Sequence, residues 1–304
     1  LELGINLIDS SEQYGESETI LGRGLSGIRR DSYIMATKCA YKDADTGALR
    51  TPEEIAISVD GSLSRLGIDH IDIMQFHVLN SVDYFHVVDH LYPVLKREQE
   101  KGKIRFIGFS EQYVAEPDHR VVVLALKTHP EIWDTVMLKY GILNQFAARE
   151  ALPLAMEHNI GIINMAVIRE KLPNPELLES QIKLWKQNGT ISSDSVPDEN
   201  PLGWLLHDDV DTIVDAGYKF AADHPAIHTV LTGTASLEHL KSNVKALESP
   251  VLDEHDKKRL NKILKVILPK RLFYRALIIV AAPTIILQLI ITIVFYDSLW
   301  TVSY

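Results

Sequence analysis

Apolar residues arrive in short continuous blocks, separated by longer stretches with helical spacing, from the first residues to about position 250. The blocks are Gly4 to Asp9, Asp31 to Lys38, Ile71 to His77, Ile104 to Ser110, Thr135 to Tyr140, Ile160 to Val167 and His228 to Gly233. Their length and unbroken apolarity predict buried strands. Helices are expected between and after them, at about 17–25, 51–66, 84–100, 118–128, 147–158, 175–187, 203–222 and 236–247. Thr51-Pro52-Glu53-Glu54 carries a full start signal: a threonine cap, a proline in the first turn and a glutamate placed to return the hydrogen bond. Gly67 supplies the stop. The polar run Asn188 to Asn200 is expected as a mobile surface loop.

Strands alternating with helices predict an α/β fold, a parallel sheet covered by helices. The chain opens abruptly on what reads as the tail of a helix. Seven strands after such an opening predict a (β/α)8 TIM barrel, N-terminally truncated so that its first strand lies upstream of Leu1. An open doubly wound sheet is the alternative, but no glycine-rich dinucleotide fingerprint follows the first strand.

Composition narrows this picture. With 304 residues, 46% of them hydrophobic, the chain can build one barrel or two smaller domains. A net charge of −10 argues against nucleic acid as a partner. The single cysteine, Cys39, excludes an intrachain disulfide and fits a reducing, cytoplasmic compartment. It follows Lys38, so a reactive thiolate is conceivable, although a small apolar residue ending a strand is the plainer reading. Residues 256–275 are strongly basic, and Ala276 to Tyr296 carry no charge. About 20 apolar residues span a bilayer as a helix, and the basic flank places the N-terminal side in the cytoplasm. Three parts follow: a barrel over 1–255, a basic juxtamembrane segment over 256–275 and a transmembrane helix over 276–296, tethering the protein to the cytoplasmic face of the membrane.

Polar residues close several apolar blocks. Asp9, Lys38 and His77 each end a strand, and Tyr14 follows five residues after Asp9. Each alone has an ordinary explanation: a helix cap, a half-buried aromatic, a solvated charge, a structural imidazole. Together, at the C-terminal ends of parallel strands, they form a candidate active site. Carbonyl reduction needs a proton donor where negative charge develops. A tyrosine can serve if an ammonium stabilises its phenolate, the ammonium needs a counter-charge when buried, and a neutral histidine can orient the substrate oxygen.

The segments carrying these residues resemble the aldo-keto reductases. The likeness runs through Asn6 to Ser10, Tyr14-Gly15, Ser17-Glu18, the strands ending in Lys38 and His77, Gly102 to Ser110, and Leu231 to Thr234 with Asn243. It implies an NAD(P)-dependent oxidoreductase whose catalytic tetrad is Asp9, Tyr14, Lys38 and His77, with Tyr14 the general acid or base. It also implies a cofactor held by Ser110, Gly233, Thr234, Ala235, Ser236, His239 and Asn243. Glu111 stands where asparagine is common, and Met137 and Met165 stand where many members have a glutamine and a stacking tyrosine. No arginine lies near His239, although Lys241 is close in sequence, which slightly favours NAD over NADP. Ile163 to Ala166, Gly217 to Phe220 and Leu231 to Thr234 are similar to the aldose-dehydrogenase branch, which oxidises sugars to lactones. A small carbonyl compound or sugar is the expected substrate. A nucleotide-binding regulatory module without turnover, or an inactive truncated fragment, is the alternative. Leu268 to Arg275 and the span after it resemble the first membrane segment of osmosensing sensor histidine kinases, as if two gene pieces were joined.

Overall fold

The computed structural model of the chain describes residues 1–264 except positions 115, 117 and 250. Seven parallel strands neighbour one another in chain order: β1 Leu7–Asp9, β2 Ile34–Ala40, β3 Ile71–Leu79, β4 Ile104–Glu111, β5 Thr135–Lys139, β6 Gly161–Met165 and β7 Thr229–Val230. Between them run α1 Ser17–Gly24, α2 Pro52–Leu66, and α3 Tyr84–His86, which continues through a π turn at Val87–Leu91 into α4 Tyr92–Glu100. α5 Arg120–Thr128, α6 Ala151–Glu157, α7 Pro175–Gln187, α8 Ile213–Ala222, α9 Leu237–Glu248 and α10 Glu254–Leu264 complete the described elements.

The sheet is curled. Ala36, Ile73, Met137 and Ile163, from β2, β3, β5 and β6, pack together, with Leu7, Met165 and Leu231 against them. In a flat sheet, with strands about 4.8 Å apart, side chains that many strands apart never meet. A larger core outside the sheet joins β3 and β4 to the helices through Phe76, Phe109, Tyr84 and Trp133. This inner and outer layering is that of an α/β barrel. The ring is interrupted at one place. Among the described residues nothing pairs with the outer edge of β1 or β7, and residues of both strands line one cavity of about 1620 Å³.

Local chemistry explains most element boundaries. Thr51 Oγ1 accepts from Glu54 N at 3.3 Å while the Glu54 carboxylate accepts from Thr51 N at 2.7 Å, and Gly67 ends α2 at φ 65°. The single helix expected over 203–222 is instead a short 3-10 turn at Gly203–Leu205 and then α8, because a second capping box, Thr212 with Asp215, starts a new helix. The loop expected to be mobile at 188–200 is pinned: Ile191 and Val196 are buried, and Lys186 Nζ reaches Val196 O at 2.5 Å and Asp198 Oδ1 at 2.6 Å. α10 occupies the start of the basic stretch, and its Leu260 and Leu264 belong to the outer core. The uncharged segment 276–296 and the sensor-kinase-like residues Leu268 to Arg275 lie outside the described residues. Among the described residues no helix is long and apolar enough to cross a membrane.

Candidate functional site

β1 and β2 end side by side, with Asp9 paired to Ala36. Two residues further along β2, Lys38 turns inward and is 1% exposed. An ammonium this deeply buried costs several kcal/mol unless it is paired and hydrogen-bonded. Lys38 Nζ donates to Asp9 Oδ2 at 2.6 Å and to Ser10 O at 2.6 Å. It also lies 4.9 Å from the centroid of the Tyr14 ring. Burial pushes the Asp9 carboxyl above the usual carboxylate range, against the opposing pull of Lys38.

Tyr14 follows in the loop that crosses the strand ends. Its hydroxyl is 3.4 Å from His77 Nε2, and the two rings meet edge to face at 5.4 Å. Half of Tyr14 is exposed, whereas His77 is buried. Burial, reinforced by the positive charge of Lys38, lowers the His77 imidazole to about 4, so it is neutral at neutral pH. The four side chains that the sequence nominates therefore share one site at the C-terminal ends of β1 to β3.

His77 reaches this position through an irregularity. Pairing between β3 and β4 shifts register between Phe76 and Leu79. Inside the shift Val78 adopts φ 52°, a conformation that a β-branched residue avoids. Its freed amide donates to Ser110 Oγ at 2.9 Å. Bulges of this kind re-aim a neighbouring side chain, and Ser110 holds this one in place.

The other nominated residues divide into two groups. Gly233, Thr234, His239 and Asn243 line the large cavity, which extends to Asp9. Ala235 and Ser236 do not line it, and Ser236 Oγ instead caps α9 by accepting from His239 N at 3.3 Å. Asn243 Nδ2 donates to Thr232 Oγ1 at 2.7 Å, which also accepts from the Tyr218 hydroxyl at 2.9 Å. Glu111 is tied to Lys139 N at 3.0 Å and to His119 Nδ1 at 2.8 Å. Cys39 is fully buried and burial pushes its thiol up, which removes the reactive-thiolate reading.

Sequence reasoning missed the residues that hold the site together. Ser11 and Gln13 both contact His77 Nδ1. Glu12 accepts from Ala40 N and Arg50, each at 2.7 Å. Glu18 is buried and accepts from Thr37 Oγ1 at 2.5 Å and Arg65 Nε at 2.8 Å, clamping α1 to β2 and α2. A carboxylate in the first turn of a helix looks the same in sequence whether solvated or buried. Only the distant arginines give a hint.

The model of the Aldo/keto reductase family matches residues 1–265. The chain is 28% identical over 276 residues to an NADH-specific methylglyoxal reductase of Escherichia coli, covering 82% of this chain and 81% of that protein. It is 28% identical over 278 residues to an L-galactose dehydrogenase of Arabidopsis thaliana, covering 86% and 81%. A solved aldo-keto reductase from Bacillus halodurans, in its holo form, superposes with a TM-score of 0.65 at 26% identity, covering 87% of this chain and 84% of that one. With a curled parallel sheet, four polar groups gathered at its strand ends and a family match over nearly all the described residues, the chain belongs to the aldo/keto reductase family of oxidoreductases.

Proposed function

We propose that the chain transfers hydride between a nicotinamide cofactor and the carbonyl carbon of an aldehyde, a ketone or a sugar, with Tyr14 as general acid in reduction and general base in oxidation. One observation carries this reading: the Tyr14 hydroxyl sits 3.4 Å from His77, while the Lys38 ammonium, itself paired with Asp9, lies 4.9 Å from the Tyr14 ring. As a carbonyl is reduced, negative charge grows on its oxygen and Tyr14 gives up its proton there. The phenolic oxygen then carries charge, which Lys38 stabilises. In oxidation the same groups work in reverse, with Tyr14 taking the alcohol proton.

The large cavity, which reaches the site at Asp9 but is not lined by Tyr14, Lys38 or His77, supports a dinucleotide as the ligand. Its volume of about 1620 Å³ exceeds the roughly 300–1000 Å³ usual for a single small ligand, which leaves ample room for a dinucleotide. Gly233 and Thr234 are exposed at the opening of α9, where backbone amides suit a diphosphate. Asn243 and His239 would meet the adenosine, and the Ser110 hydroxyl would donate to the nicotinamide carboxamide. A bound nicotinamide supplies the hydride in reduction and takes it in oxidation. A 2′-phosphate calls for a guanidinium or ammonium partner. No arginine lies near His239 in sequence, although Lys241 does, so the sequence leans only slightly to NAD, and a relative named for NADH adds to that side. Relatives named for methylglyoxal and for L-galactose support small aldehydes, or oxidation of an aldose to its lactone, as the substrate class.

Replacing Tyr14 by phenylalanine tests the reading. The expected result is a loss of turnover of about 10²–10⁴-fold, with NADH affinity, read by nicotinamide fluorescence, retained and tighter than that for NADPH. Undiminished turnover would remove Tyr14 from the proton path.

A further inference from the structure

We propose that Ser110 is a positioning residue for His77, besides any contact it makes with the cofactor: by accepting from the Val78 amide it assigns the extra residue of β3 to Val78 and so keeps the imidazole turned into the site. The dependence of His77 on Ser110 follows from the strand itself. Its consequence for turnover rests on the function proposed above.

Side chains of an unbroken strand alternate between its two faces. β3 starts in that way, with Ile73 in the inner cluster and Phe76 in the outer core, so His77 faces inward. Alternation would send Leu79 inward too, yet Leu79 is fully buried in the outer core beside Phe76. One extra residue absorbs the difference. The ladder passes from Phe76–Phe109 to Leu79–Glu111, so three steps of β3 face two of β4. Phe76 and Leu79 anchor the ends of this stretch but leave two ways to fill it. Either Val78 is the extra residue and His77 points inward, or His77 is the extra residue and Val78 takes the inward place. The second arrangement would withdraw the imidazole from Tyr14.

Two contacts select the first. On one side β2 holds His77 through its last ladder pair, Ala40–His77. On the other, Val78 N donates to Ser110 Oγ at 2.9 Å. Val78 takes φ 52°, which a β-branched residue adopts only where its surroundings enforce it. Ser110 is 2% exposed and its hydroxyl has one hydrogen and two lone pairs. The Val78 amide uses a lone pair, and the hydrogen stays available for a nicotinamide carboxamide. The two tasks of Ser110 therefore do not compete.

Glycine adopts a positive φ without strain, which separates the two tasks by experiment. Ser110→Ala removes both. With saturating NADH, and glyceraldehyde as the probe, kcat should fall by roughly 10–100-fold, the cost of a misplacement of about 1 Å, and NADH affinity should weaken. Adding Val78→Gly to Ser110→Ala should recover kcat by about tenfold and leave the affinity as weak as before. A double variant no faster than Ser110→Ala would overturn the proposal. Two further readings need neither cofactor nor turnover. In the parent chain the Val78 amide should exchange slowly with solvent, and His77 should be neutral at about pH 5.5, between its folded value of about 4 and the ordinary 6.5. In Ser110→Ala the amide should exchange about tenfold faster, the loss of one hydrogen bond, and part of the imidazole should be protonated at that pH. A Val78 amide that exchanges freely in the parent would overturn the proposal whether or not the variant folds, and so would a His77 titration that Ser110→Ala leaves unmoved. An inactive parent with both readings as expected would count against the proposed reaction alone.

Discussion

At the scale of single residues, the site is a set of charges that the fold has paired in advance. His77 shows the effect through pH. An unfolded histidine takes up its proton near pH 6.5, whereas the folded chain refuses it until about pH 4. Between those values the unfolded state binds the extra proton, so stability is complete above pH 6.5 and falls as pH drops towards 4, by about 2–3 kcal/mol. Denaturant unfolding followed from pH 7 to 4 should show this loss, and His77→Gln should flatten it. An unchanged slope in the variant would assign the loss to other groups. The sequence made Asp9, Lys38 and His77 visible because each closes an apolar block, and parallel strands bring such ends together where one alone would have an ordinary explanation. It hid Ser11 and Gln13, which lie in a polar loop whose path only the close neighbourhood of β1, β2 and β3 determines.

Elements behave in the same way: those fixed by local chemistry were legible and those fixed by contact were not. α7 begins and ends where the sequence pattern placed it, with Asn174 accepting from Leu177 N at its start. The break before α8 was missed because the apolar spacing continues through a turn in which Asp208 takes φ 51°. Strand ends drifted for a related reason, since apolarity continues past the last ladder hydrogen bond. At Gly108 a requirement invisible in one strand appears once two are paired. A Cβ there would lie 2.2 Å from Thr135 Oγ1 and 2.4 Å from Thr135 O, so β4 and β5 approach closely only because position 108 has no side chain. Gly108→Ala should destabilise the protein by about 1–3 kcal/mol, read as a lower urea midpoint. A midpoint within error of the parent would mean that the strands separate freely.

For the whole molecule, the alternation of blocks sufficed to anticipate a parallel α/β architecture with seven strands. It could not show which side chains face inward, because strands buried on both faces lack the two-residue periodicity that separates one face from the other. Nor could it show how the two ends of the sheet stand to each other. Among the described residues β3 and β4 are hydrogen-bonded on both sides, whereas β1 and β7 are each paired along one side. Hydrogen exchange should follow that difference: amides of β3 and β4 protected most, and amides of Leu7–Asp9 and Thr229–Val230 that point away from β2 and β6 exchanging early. Equal protection throughout would show the ring to be closed in solution.

That free rim has a mechanical consequence. The girth of a complete barrel is fixed by its strand number and shear, and widening it means breaking backbone bonds. Among the described residues no backbone ladder joins β1 to β7, and side chains such as Leu7 and Val230 line the space between them. Substitutions at the positions of either bank that line the chamber beside Asp9 are therefore expected to change its width before they change the pairing of β2 with β3, which carries Lys38 and His77.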